Sequence, residues 1–382
     1  MVKAGQISDG RVQVWDLPTR LFHWLLAGSF AAAWLSHEHD RYLDIHVFVG
    51  YLFFGLLLFR LVWGLIGGRY ARFRAFGYRG SAARDYLLAT LRGRAQRHLG
   101  HNPSGACAIF LMLVLGLAVA ATGLLVLGGE ERQGPLAGWL SFSTADLFHE
   151  VHDALAVIML ALVVVHLIGV AFESWRHREN LVMAMVSGRK RGNGISTRRY
   201  AFVGALMLIV ASVAAGLQFV GYARATPDKP YLPFTGPALP ANATWNSECG
   251  SCHQAFHPSL LPARSWEALF EGQSGHFGDD LALDTATVTE LREFAWRNAA
   301  ESALTEAAWK INRSIPAHEA PLRITETEYW KRKHRDIAAD VWRMSRVRTK
   351  ANCAACHLDA ERGTFEDAAM RVPASTEPAK PI

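Results

Sequence analysis

Five apolar segments constrain this chain more than anything else in it: Leu17 to Leu35, His46 to Ile66, Cys107 to Leu127, Val151 to Phe172 and Tyr200 to Gly221. Each approaches the roughly 20 residues that a helix needs to cross a bilayer. Hydrocarbon offers backbone amides no outside partner, so such segments fold as helices. The polar leader before the first is short and lacks a small-residue cleavage site, so that segment reads as a retained helix rather than a signal peptide. Residues 223 to 382 are polar, charged and punctuated by proline. The expectation is an all-α integral membrane protein with a soluble C-terminal part.

Basic residues mark the cytoplasmic loops of membrane proteins. The stretch from Arg69 to His101 carries eight arginines, and the one after the fourth segment holds Arg176, Arg178, Arg189, Lys190, Arg191, Arg198 and Arg199. The alternate loops carry Glu38, Asp40 and Asp44, then Glu130, Glu131, Asp146 and Glu150. This predicts a cytoplasmic N-terminus and a periplasmic side for everything after Gly221. The net charge of +6 is then mainly a topology signal and gives no reason to expect a nucleic-acid partner.

Ionisable side chains inside a bilayer are costly and point to function. His23, His46, His152 and His166 fall within or at the rims of the first, second and fourth segments. Fourteen residues separate His152 from His166, about 21 Å along a helix and only ~40° of rotation, so one face offers two nitrogens at two depths. His46 with His152 would clamp an outer haem, and His23 with His166 an inner one. His149 lies roughly 100° away from His166 around the helix and reads as a surface residue or a group behind the ligands. Arg60 follows His46 by fourteen residues and Arg20 precedes His23 by three, so both could meet haem propionates; positive-inside retention is the simpler reading of Arg20.

Four of the five cysteines fall in Cys249-Gly-Ser-Cys252-His253 and Cys353-Ala-Ala-Cys356-His357. C-x-x-C-H is the pattern of covalent c-type haem attachment, with two thioethers and an axial His; a zinc site or a disulfide is the alternative. Cys107 reads as a small buried hydrophobe. The other axial ligands come from His257, His276, His318, His334, Met344 and Met370. His257 follows His253 by one turn on the same side, and His318 sits between Pro316 and Pro321, leaving His276 and His334 as the better choices.

Residues 11 to 190 resemble the prokaryotic cytochrome b561 family, which includes anchors of nickel-iron hydrogenases and formate dehydrogenases. The resemblance rests on Trp15-Asp-Leu-Pro-Thr-Arg-Leu-Phe-His23-Trp, His46 with Gly50 and Arg60-Leu-Val-Trp63-Gly, Gly100-His-Asn-Pro103 and the His152 to His166 spacing. It implies a four-helix core with two b haems, ligated as above, and exchange with quinone. Residues 243 to 373 resemble the periplasmic di-haem cytochromes c, through Glu248 to His253, Leu260 to Trp266, His276-Phe-Gly278, Leu322 to Thr327 and Ala351 to His357. That resemblance implies bis-histidine iron with His276 and His334 as distal ligands. Pairing within each half, His253 with His276 and His334 with His357, is preferred, with the crossed pairing open.

The expected organisation is a membrane domain over 1–191, a fifth, tethering span over 192–222, a Pro-rich semi-rigid linker over 223–242, a small α-rich di-haem domain over 243–373 and a disordered tail over 374–382. Helices are expected at Ser265 to Glu271, Thr285 to Asn298 and Thr325 to Met344, the last opened by a Thr325/Glu328 capping box. No nucleotide-binding or hydrolytic constellation occurs, and no catalytic residue is expected. The function implied is single-electron transfer through two b and two c haems, from quinol in a bacterial inner membrane to a soluble periplasmic cytochrome or small haem protein, as a quinol:cytochrome c oxidoreductase would do. An anchor passing electrons from a periplasmic dehydrogenase to quinone, and a haem-based sensor or reductase, are the rivals.

Overall fold

The computed structural model describes residues 10–226 and 228–373. Among these residues the fold is helical apart from one short strand pair, and it divides into two compact units.

The first unit holds most of the membrane bundle. Strand β1 (Arg11–Gln13) leads into α1 (Leu17–Ser36), followed by α2 (Leu43–Ile66), α3 (Gly80–Leu91), α4 (Pro103–Gly129), α5 (Phe142–Arg176), α6 (Leu181–Ser187), β2 (Arg189–Arg191) and α7 (Ala201–Ala223). Asp16 sets the start of α1: its carboxylate accepts from the Thr19 amide at 2.8 Å, with Pro18 in the first turn. The same carboxylate accepts from Trp63 Nε1 at 3.3 Å, tying α1 to α2. Phe53, Leu57, Leu113 and Met159 make a core shared by α2, α4 and α5. Outward residues such as Val114, Val165, Ile168, Phe202 and Leu217 are exposed and apolar, the pattern of a surface facing lipid.

Helices α2, α4, α5 and α7 are long and apolar enough to cross a membrane. Helix α1 has a comparable length of 20 residues, but Arg20, His23, Ser29 and Ser36 dilute its hydropathy and it is not among the four. Cys107, expected to be buried, is exposed on α4. Three features went unread in the sequence. Helix α3 lies inside the arginine-rich stretch, α5 begins nine residues earlier than its apolar run, and β1 pairs antiparallel with β2, Val12 opposite Lys190.

The second unit comprises 222–373 with the short segments 39–44 and 124–147, which pack with it rather than with the bundle. Its helices are α8 (Ala243–Cys249), α9 (Ala263–Glu271), α10 (Thr285–Asn298), α11 (Glu306–Ser314), α12 (Glu328–His334) and α13 (Ala339–Arg343). Trp245, Leu261, Trp266, Phe270 and Leu291 form one core, and Leu260, Ile311, Ile315 and Tyr329 a second. The Pro-rich segment is irregular; Thr235 donates its amide and its hydroxyl to the Arg132 carbonyl, at 3.0 and 2.6 Å. The single helix expected over Thr325 to Met344 is broken in two, and its cap is Thr327, accepting from the Trp330 amide, instead of Thr325. The expected disordered tail lies outside the described residues.

Candidate haem sites

Sixteen histidines occur in the chain, and eight of them meet in four pairs. In the first unit, ring centroids of His23 and His166 lie 6.5 Å apart, and those of His46 and His152 6.2 Å apart. In the second, His253 faces His276 at 6.3 Å and His334 faces His357 at 6.1 Å.

These separations carry a chemical meaning. A metal binds imidazole nitrogen at about 2.0 Å, and that nitrogen is about 1.2 Å from the ring centre, so one iron between two imidazoles sets the centroids about 6.4 Å apart. Four independent pairs fall within a few tenths of that value, which is the fit expected of bis-histidine haem iron. Rings packed against each other for their own sake show no such common spacing, since aromatic pairs range over about 4.5–7 Å.

Hydrogen bonds fix which nitrogen is free. A carbonyl can only accept, so each Nδ1 that meets one must carry the proton and leave Nε2 as a bare ligand. His46 Nδ1 donates to the Ala33 carbonyl at 3.0 Å, His152 Nδ1 to Val119 at 3.0 Å, His334 Nδ1 to Trp330 at 2.8 Å and His253 Nδ1 to Gln254 at 2.7 Å. Thr122 Oγ1 adds a 3.1 Å contact to His152 Nδ1. A Cβ at Gly123 would lie 3.0 Å from His152 Cε1, so the glycine lets the ring sit close against this turn of α4. Nδ1 of His23, His276 and His357 is buried without a partner. Outside the membrane segments, burial pushes His276 and His334 down and His357 down to about 4, so these rings are neutral and ligand-competent.

The inner pair has a charged neighbourhood. Arg60 is 4% exposed, its guanidinium lies 4.8 Å from the Phe73 ring and 5.8 Å from Phe76, and its Nη1 has no hydrogen-bond partner. A buried cation in this state calls for an anion, which a haem propionate supplies. Arg20 gives Nη1 to the Val186 carbonyl at 2.6 Å, while its Nε is unpaired. His101 had no role assigned from sequence: its ring lies 4.6 Å from Trp15 and 4.3 Å from Phe76, with Nδ1 buried and unpartnered. Burial, then Arg60, push it down to about 3. Its signal was the Gly100-His-Asn-Pro103 run just before α4, where Asn102 caps the helix by accepting from the Gly105 amide.

Around the second unit's pairs, none of the four motif cysteines is in a disulfide. Burial holds the Cys249 and Cys353 thiols up at about 11, unfavourable to the thiolate that zinc requires. The remaining candidate ligands are otherwise engaged. His257 bonds Ser259 and the Pro240 carbonyl, His318 is 82% exposed beside Glu319, and Met344 Sδ contacts Arg346. Met370 pairs by backbone with His357 and lines the cavity that holds His334 and His357. His149 is a partly exposed neighbour of Asp153.

The prokaryotic cytochrome b561 family matches residues 14–188, and the dihaem cytochrome c family matches residues 245–365. The chain is a prokaryotic cytochrome b561 joined to a dihaem cytochrome c. Its cytochrome b561 part is 25% identical over 218 residues to a probable Ni/Fe-hydrogenase B-type cytochrome subunit of Rhizobium leguminosarum bv. viciae, covering 48% of this chain and 90% of that one. The same subunit of Azotobacter vinelandii is 28% identical over 211 residues, 46% of this chain and 87% of its own. Its dihaem cytochrome c part is 37% identical to the diheme cytochrome c from Rhodobacter sphaeroides, covering 34% of this chain and 100% of that one, with a TM-score of 0.30. For the diheme cytochrome of Shewanella baltica OS155 the figures are 31%, 35%, 95% and 0.29. The b561–dihaem chain is thus a bacterial membrane protein that binds haem b and haem c and serves transmembrane electron transfer.

Proposed function

We propose that this chain carries electrons between membrane quinone and a periplasmic haem protein, through two b haems held by His23/His166 and His46/His152 and two c haems held by His253/His276 and His334/His357. The common spacing of the four histidine pairs carries this reading. Bound haem supplies reversible one-electron chemistry at iron, and the proposed order runs from quinone to the inner b haem, the outer b haem and the c haems. Cys249, Cys252, Cys353 and Cys356 tether the c haems as thioethers. Arg60, with His101 against the same Phe76 ring, and Arg20 on α1 would neutralise propionate charge at the inner level. The arginine-rich loops support a cytoplasmic N-terminus and a periplasmic dihaem part in an inner membrane.

A quinone site at the inner level would use the shallow, open groove of about 480 Å³ along the end of α5, whose lining begins at Leu167, next in sequence to His166. It is lined by Leu167, Val170, Ala171 and Trp175 on its apolar side and by Ser174, Arg178, Glu179 and Asn180 on its polar side. That mixture of apolar wall and few polar groups suits a ring with carbonyl oxygens. The competing location, beside the outer haem, would use His149 and Glu150 for proton exchange. Quinol-driven reduction of the c haems in a His166→Ala variant that retains its outer haem separates the two. Strong slowing supports the inner pocket, and near-normal rates exclude it. Haem content is tested by acid-acetone extraction, which should remove half of the haem and leave half bound.

The hydrogenase-subunit relatives favour a second reading, in which a periplasmic dehydrogenase feeds electrons inward to quinone. Co-purification of a catalytic subunit, with c haems reduced by its substrate faster than by quinol, would select it.

A further inference from the structure

In the second unit, apart from the paired histidines, three carboxylates converge: Glu131, Glu306 and Asp367 each place an oxygen within 4.8 Å of the other two. Glu306 and Glu131 are 6% and 7% exposed, so this is an interior cluster and not a solvated acidic face. Two lysines neutralise part of it. Lys310 reaches Glu306 at 3.1 Å and Glu130 at 3.6 Å, and Lys333 reaches Asp40 at 2.6 Å and Asp367 at 3.2 Å. Glu131 has no ion pair among the described residues, and its Oε2 is buried without a hydrogen-bond partner while its carboxylate faces the other two. Glu366, 3% exposed, also has a buried Oε2 without a partner. Burial and repulsion from Glu306, Asp367 and Glu366 push the Glu131 carboxyl well above its ordinary range. An isolated buried anion is costly unless a cation or donor meets it.

We propose that Glu131, Glu306 and Asp367 form a calcium site that clamps residues 130–131, the start of α11 and the segment 366–367 together. All three ligands are hard oxygens, the set that calcium prefers. Oxygens within 4.8 Å of one another can all meet one calcium ion at its bond lengths of about 2.3–2.6 Å, and a set made of protein carboxylates suits calcium better than magnesium, which keeps several of its waters. Glu366, next to Asp367 in sequence, is a fourth carboxylate whose charge acts on Glu131. The ion would hold 131 against the segment just after the Cys353 to His357 motif, since Met370 pairs with His357 three residues beyond Asp367. This site uses none of the proposed haem ligands, so its failure would leave the four-haem reading untouched.

The test uses the full-length holoprotein in detergent. After exchange into calcium-free buffer without chelator, atomic emission should find about one calcium per chain, the stoichiometry of one such site. Chelation with EGTA should lower the midpoint of thermal unfolding by several degrees, calcium should restore it, and equimolar magnesium should not. Terbium added to the chelated protein should show emission sensitised by Trp309, three residues after Glu306. Glu131→Gln should abolish retention and the calcium-dependent stabilisation with the haem spectrum unchanged. No retained calcium together with identical unfolding in EGTA and calcium would overturn the site in the wild-type protein alone, even if the variant fails to fold.

Discussion

The two halves of this molecule reach the same ligand geometry by different means. In the bundle, all four histidines stand on long helices, and two come from one face of α5. Helical repeat alone sets their depth and direction. In the dihaem part, two histidines follow cysteine motifs, while His276 lies in an irregular turn after α9 and His334 ends the seven-residue α12. There the ligand positions depend on short elements packed around small cores, and covalent attachment does what long helices do in the bundle. On the proposed ligation, the bundle would hold its haems by shape and coordination, and the dihaem part would hold its own by bonds.

Removing a ligand should expose that difference most strongly. His46→Ala or His152→Ala is expected to lose the outer b haem outright, halving b haem by pyridine haemochrome and leaving c haem unchanged. His276→Ala or His334→Ala should retain every c haem and turn one of them high-spin and open to carbon monoxide, seen by optical and paramagnetic resonance spectra. Equal haem loss in both sets would erase the contrast.

Arg60→Gln should act at intermediate strength. A charge-assisted hydrogen bond contributes about 1.5–3 kcal/mol, equivalent to roughly 60–130 mV for one electron, so the inner b haem should titrate lower by that order. The c haems should not move. The smallest effect is expected from Thr122→Val, which removes one contact to His152 Nδ1 but leaves the Val119 carbonyl as acceptor. A loss within about 1 kcal/mol of thermal stability and an outer haem still low-spin are expected, checked by unfolding and optical spectra.

Much of the site was legible because membrane helices are regular and the covalent motif is local. The His152 to His166 spacing gives a shared face without knowledge of the fold, and C-x-x-C-H names its own proximal ligand. His276 and His334 could be narrowed down but not singled out from spacing, because a turn and a short capped helix carry no periodicity; the resemblance singled them out. His101 was passed over since one polar residue in a basic loop looks solvated until Trp15 and Phe76 are seen to enclose it. Helices α8 and α11 were missed because each is shorter than ten residues and is set by a single capping side chain, Asn242 or Thr305. The break at residue 335 hides in a run of charged residues that also suits a continuous helix.

The unequal surroundings of the two bundle pairs give the membrane half an electrical polarity. His46 and His152 both donate to carbonyls, which leaves their iron-facing nitrogens richer in electron density and favours ferric iron at the outer level. His23 Nδ1 is buried without an acceptor, and the buried positive charge of Arg60 would favour ferrous iron at the level of His23 and His166. On the proposed ligation, a lone electron in the bundle would come to rest at the inner haem. Inward traffic would then run downhill unaided, while the outward traffic proposed above would need an oxidant beyond the c haems to pull it, so the span would behave as a rectifier whose load is set by the company it keeps on either side.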